Sequence, residues 1–212
     1  GASGASDAYF VALILPGVVF ALLGEVLVTA SLPVLADPAV RGDAGRRRTV
    51  VWSLFHAGVL AAAALVAAGM ALAEPLVAAL APGLLAPTRT LAAALARVVM
   101  PMTLLYAVAQ WATAQLHARQ RFLVPAAIGI PYNVILIAAA LLAGRHGTIA
   151  WVAWATVAAT AAQAALVLTD AWRVLPPYAP VLDRRHPDLA RVARQALPVL
   201  AGVGVGTVNL VV

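Results

Sequence analysis

The chain has no cysteine and no lysine, and only eight acidic side chains among its 212 residues. Without cysteine there is no disulfide framework and no thiolate metal site. Without lysine there is no phosphate-binding Gly-Lys loop, which argues against ATP hydrolysis within this chain. The four histidines, His56, His117, His146 and His186, fall on separate segments without the spacing of a metal site, so neither a metal nor a cofactor is expected. No catalytic constellation stands out, and the chain does not read as an enzyme. Charge is scarce altogether, at 10% of residues against 64% hydrophobic, and the mean hydropathy of +0.96 lies outside the range of soluble domains. This is the composition of a membrane protein.

What is present fits that class. Crossing a hydrocarbon core about 30 Å thick at about 1.5 Å per residue takes about 20 apolar residues. Six such segments are read, at roughly 8–35, 49–73, 90–116, 122–143, 148–172 and 194–212. The Ala and Leu content and the lack of alternating polarity disfavour strands and a membrane barrel. The expected fold is therefore all-α, a polytopic membrane helix bundle. All fourteen basic residues are Arg, and all but Arg97 sit in the connections between apolar runs, which weakens a nucleic-acid reading of the net charge of +6. If the segments alternate sides, the first, third and fifth connections carry Arg41, Arg46, Arg47, Arg48, Arg119, Arg121, Arg173, Arg184, Arg185, Arg191 and Arg194. The second and fourth carry Arg89 and Arg145. That asymmetry places the Arg-rich connections in the cytoplasm and residue 1 outside.

Trp52, Trp151, Trp154 and Trp172 lie near segment ends, where an interfacial belt would place them. In "DRRHPDLARVARQ", Asp188 follows Pro187, with Arg191 and Arg194 at helical spacing. This reads either as a short amphipathic helix held on the surface by anionic lipid or as a solvated linker. The chain starts without a recognisable signal peptide and stops at Val212 inside an apolar stretch, which suggests a piece of a longer protein. Three units are expected: a lobe over 1–172, a cytoplasmic linker or amphipathic helix over 173–193, and the start of a second lobe over 194–212.

Glu25 stands inside "FVALILPGVVFALLGEVLVTASLPVL", beside a face of small residues formed by Gly17, Ala21, Gly24, Val28 and Ser31. An ionisable group within a span is costly to insert, so Glu25 is a candidate for a cavity wall or gate. Arg97 is the intramembrane-leaning arginine, about two turns from the outer end of the third span. Four residues on, Pro101 removes a backbone hydrogen bond and predicts a kink. Asp170 and Arg173, three apart, predict a surface pair.

Several stretches together resemble one family, the MurJ (MviN) lipid II flippases of the multidrug/oligosaccharidyl-lipid/polysaccharide exporter superfamily. "GASGASDAYFVALILP" is similar to that family's small-residue loop, "DAFFVAF" and proline at its second helix, "GEV" falls where the family has "AEGA", and "LPVLAD" resembles "FVPVL". "ARVVMPM" and "RVARQALPVLAGVGVGTVN" resemble its fourth and seventh helices, and "LHARQRFLVPAAIGIPYNV" matches its pattern of Arg-Phe, Pro-Ala and a following Asn. The resemblance implies helices two to seven of a fourteen-helix exporter fold in the bacterial cytoplasmic (inner) membrane, crossing it several times. It implies a transporter that flips an undecaprenyl-linked peptidoglycan precursor by alternating access. Its partners would be a lipid-linked saccharide, membrane lipids and cell-wall synthesis proteins, with no nucleic acid.

Carried over by motif, Glu25, Arg97 and Asp7 become substrate-cavity or gating residues, and Arg121, Phe122, Pro125 and Asn133 become structural motif positions. One departure stands out. Where characterised members have a pair of arginines after the proline of the second helix, this chain has Phe20 and Ala21. That leaves two alternatives open, a non-transporting scaffold of the cell-wall machinery and an exporter of another lipid-linked saccharide.

Overall fold

In the computed structural model, residues 2–146, 148–196 and 198 are described, without the side chains of residues 2, 3, 21–27 and 143–146. No strand occurs among them. The first apolar run forms α1 (Ala2–Glu25), a π-helical turn (Val26–Ala30) and a short α2 (Leu32–Ala36). Pro16 is accommodated inside α1. α3 (Pro38–Gly42) starts at Asp37, whose carboxylate accepts the Ala39 N–H at 2.9 Å.

α4 (Ala44–Ala71) begins five residues before the sequence-based span, because Asp43 caps it by accepting the Arg46 N–H at 3.0 Å. Arg46, Arg47 and Arg48 therefore ride on the first turns of a helix and not on a loop. The second connection also holds an element the hydropathy pattern conceals, α5 (Ala73–Leu80), with Ala73 and Val77 buried one turn apart. α6 (Ala86–Val99) and α7 (Met102–His117) make one span broken at Pro101, where Thr103 and Leu104 bond back three residues to Met100 and Pro101. α8 (Leu123–Ala126), α9 (Gly129–His146) and α10 (Ile149–Ala171) follow, and α11 covers 187–196.

Four stretches among the described residues are long and apolar enough to cross a membrane: Ala44–Ala71, Ala86–His117, Leu123–Leu142 and Ile149–Ala171. The apolar part of α1 within the described side chains, Gly4–Phe20, is shorter. The sixth run expected, 194–212, lies beyond the described residues except for its first few positions.

Two apolar cores sit at opposite ends of the bundle. One joins Tyr9, Ala12, Val77, Leu95, Val99 and Ala153 of α1, α5, α6 and α10. The other joins Val34, Val50, Trp52, Trp111, Leu116 and Val167, with Ala179 and Val192 from the segment after α10. Burying the facing sides of these helices stabilises the lobe, and the outward sides keep large apolar residues exposed, as lipid-facing surfaces require.

Candidate functional site

At the Arg-poor end, assigned to the outside by its charge, Arg97 is not a lone cation. Its Nη2 donates to Glu74 Oε1 of α5 at 2.9 Å and its Nε to the Met70 carbonyl at 3.3 Å. Both partners are substantially exposed, with side chains 40% and 72% accessible, so the guanidinium has turned toward the surface. Glu74 is not legible in the sequence, because the short helix that presents it looks like ordinary connection between two apolar runs. Asp7 is exposed near the start of α1. Two residues further along, Tyr9 is buried, and its hydroxyl shares a 2.7 Å hydrogen bond with Thr156 of α10. The structure thus puts Asp7 and Arg97 in the same half of the molecule without joining them.

Glu25 is the last residue of α1, where the backbone passes into the π-helical turn. Its side chain lies outside the described residues. A π turn inside a helical run widens the backbone and often accompanies a functional position. Phe20, one of the two residues standing where arginines were expected from the family pattern, packs on Tyr106 of α7 with ring centroids 4.3 Å apart. That position is an aromatic contact between helices, with no charge to offer an anion. The Ala21 side chain is not among those described.

The Arg-rich end is far more elaborate than its sequence suggested. The first, third and fifth connections converge there, which a single-sided positive charge requires. Arg121 pairs with Asp170 at 3.2 Å, and Arg173 reaches the same carboxylate oxygen at 3.4 Å. Asp170 is buried, so the expected surface pair is in fact a two-arginine clamp joining the α7–α8 turn to the end of α10. Gln120 takes a left-handed conformation, φ 57°, and closes α7 with bonds from Gln120 N–H to His117 and from Arg121 N–H to Leu116. This turn aims Arg121 at Asp170. Phe122 is exposed and packs on His117, Pro125 lies within α8, and Asn133 donates to the Gly129 carbonyl at 2.9 Å, one turn back.

One face of α4 reads the segment 174–183. The Arg47 guanidinium donates to the Val174 carbonyl, and Arg48 donates to the Pro177 and Tyr178 carbonyls at 3.1 and 2.7 Å. Trp52 Nε1 donates to Pro177 at 2.9 Å, and the Ser53 hydroxyl accepts the Asp183 N–H at 3.0 Å. His56 Nδ1 lies 2.9 Å from the Val181 carbonyl. The rings of Trp52 and Tyr178 meet edge to face at 4.8 Å. Trp52 is therefore buried under this strap and does not join the lipid interface, unlike the exposed Trp151, Trp154 and Trp172. A proline-rich extended segment needs such partners because its own backbone makes few bonds. The spacing Arg48, Trp52, His56 is the signal that was present and unread: one residue per turn of a single face.

Beyond the strap, Pro187 opens α11, and protein carboxylates and arginines hold this helix in place. Asp188 is buried and takes Arg46 through two bonds, Nε at 2.7 Å and Nη2 at 2.8 Å. Arg191 donates to Asp37 at 3.0 Å. The side-chain hydrogen bond from Arg46, with its charge, holds the Asp188 carboxyl below the usual range, against the opposing effect of burial. The Ala39 N–H and then Arg191 do the same for Asp37.

Two comparisons with known proteins bear on this arrangement. The family model for the lipid II flippase MurJ matches residues 1–212. A solved structure described as lipid II flippase MurJ in an inward closed conformation superimposes with a TM-score of 0.80 at 17% identity, over 98% of this chain. The chain spans 43% of that protein's length, and at this identity the likeness speaks for the fold.

Proposed function

The chain belongs to the MurJ lipid II flippase family, and from that premise we propose that the protein of which it forms part moves an undecaprenyl-linked peptidoglycan precursor across the bacterial inner membrane. The single observation that carries this reading is the match of the family model along the whole chain. The family is one of transporters and not of enzymes, and the chain is a multi-pass membrane helix bundle. In the proposed mechanism the lobe formed here rocks against a second lobe around a central cavity, so that the saccharide headgroup is exposed first to the cytoplasm and then to the outside. On this reading residues 1–172 belong to the first lobe, 173–193 to the linker, and 194–212, most of which lies outside the described residues, to the start of the second.

Glu25 is proposed as a cavity or gating carboxylate, supported by its place at the start of a π turn inside a span. Asp7 would mark the outer rim. Arg97, tied to Glu74, would act as an outer gate residue whose pairing changes as the lobe moves. Arg121, Phe122, Pro125 and Asn133 shape the turn from α7 into α9 and hold the lobe's Arg-rich end together.

A second reading is favoured by one observation, the stacking of Phe20 on Tyr106 where a cationic side chain would face a diphosphate. On that reading the protein is a scaffold of the cell-wall synthesis machinery or carries a different lipid-linked saccharide. Complementation separates them. The full-length gene is expressed in cells depleted of their lipid II flippase, with Glu25→Ala beside the wild type. Rescue by the wild type and loss with Glu25→Ala is the expected result. Failure of the wild type to rescue defeats the lipid II reading, and equal rescue by both removes Glu25 from the mechanism.

A further inference from the structure

The segment after α10 is attached to the lobe in two different ways. The strap, 174–183, is bound along its length by Arg47, Arg48, Trp52, Ser53 and His56 of one helix, mostly through its own backbone groups. Its grip is distributed, and no single bond decides it. α11, in contrast, is tied by two side-chain pairs, Arg46 with Asp188 and Arg191 with Asp37. Its apolar side is only partly covered. Val192 and Ala196 are buried in the core and Leu189 packs on it, while among the described residues a groove of about 600 Å³ lies between α11 and Leu54, Ala57 and Ala61 of α4. A helix packed beside an open groove gains little dispersion energy from that side. A bidentate Arg–carboxylate pair, however, is directional and is either made or broken.

We propose that α11 is a releasable clasp: Arg46–Asp188 holds it against the start of the second span and Arg191–Asp37 against the connection before it, and breaking them frees α11 while the strap stays anchored. The chain leaving this lobe then has two positions, docked and undocked, with the hinge falling between Asp183 and Pro187, where the backbone turns without regular structure. The part of this inference that concerns transport rests on the flippase reading; the clasp itself does not. In the transport cycle, the clasp would couple the position of the following segment to the conformation of the first lobe. Arg46 and Asp188 are thus positioning residues.

The test uses the full-length protein with any cysteines elsewhere in the chain replaced, since these 212 residues contribute none. Spin labels at Ala44→Cys and Arg194→Cys report the clasp, and labels at Ala44→Cys and Pro180→Cys report the strap. The wild-type background should give one short distance for the first pair. Arg46→Ala with Arg191→Ala should add a longer population there and leave the strap pair unchanged, and the charge exchange Arg46→Asp with Asp188→Arg should restore the short distance. An unchanged first pair in the double alanine variant overturns the clasp, and so does a strap pair that moves together with it.

For coupling, Asp37→Cys and Arg191→Cys are joined by a short bifunctional thiol reagent in liposomes that contain lipid II. Flipping should fall by roughly tenfold or more, the size of a typical coupling between two conformations. Equal flipping before and after joining overturns the transport role. If the unmodified protein flips nothing, the flippase reading fails, and the label distances still decide the clasp.

Discussion

Gln120 shows how little a residue's identity can say about its backbone. It occupies the left-handed region that closes α7, a conformation L side chains adopt at a cost. Gln120→Gly should therefore raise the stability of the detergent-solubilised protein by about 1 kcal/mol, read as a higher midpoint in thermal unfolding. A fall would mean that the Gln side chain contributes more than its backbone costs. Phe20 and Trp52 make the same point about surroundings. By position either could face lipid or a cavity; Phe20 packs at a tilt on Tyr106 and stays partly exposed, whereas Trp52 is covered by a strap 125 residues away. Glu25 stood out in the sequence because a carboxylate within an apolar run is rare, and that signal needs no structure.

Between elements, the Arg-rich end is held by carboxylates shared across the three connections. Asp170 receives two arginines, so losing one leaves the other in place. Arg173→Ala should be nearly neutral, because this side chain is exposed, and Arg121→Ala should cost about 1 kcal/mol or less. Removing both leaves a buried carboxylate without a cation, and the cost should exceed the sum, at about 3 kcal/mol. Additive losses in a double-mutant cycle would show that Asp170 is hydrated once its partners are gone.

The clasp has a defined response to acid. Asp37 and Asp188 are both held below their ordinary value of 3.8, so their charged forms favour the docked helix. That contribution is present above 3.8 and disappears as the pH falls through the lowered values. The docked distance between labels at positions 44 and 194 should thus hold from about pH 8 down to about pH 5 and lengthen only below about pH 4. Release in the neutral range would sink this assignment. His186 and Arg191 near Asp188, and Arg46 near both acids, are the other charged groups facing the pair.

For the whole molecule, topology is the statement most open to direct test. With no native cysteine in these 212 residues, a single Ala44→Cys and a single Gly83→Cys probe opposite ends. A membrane-impermeant thiol reagent added to intact cells should label position 83 and spare position 44 until the membrane is opened. The reverse pattern would invert the assignment made from arginine counts. Fold class, membrane residence, four of the six expected spans and the likeness to one transporter family were all legible in the sequence, because length of apolar run and motif order are properties of the chain itself. α5 and the early start of α4 were not legible, since a short helix with one buried face and a cap such as Asp43 look like ordinary connection. Arg173 was legible as a local partner of Asp170, but Glu74 for Arg97, Arg121 for Asp170 and Arg46 for Asp188 were decided by tertiary structure alone. Each of these lies on another element, between 23 and 142 positions away, and no local spacing encodes which carboxylate a distant arginine will meet.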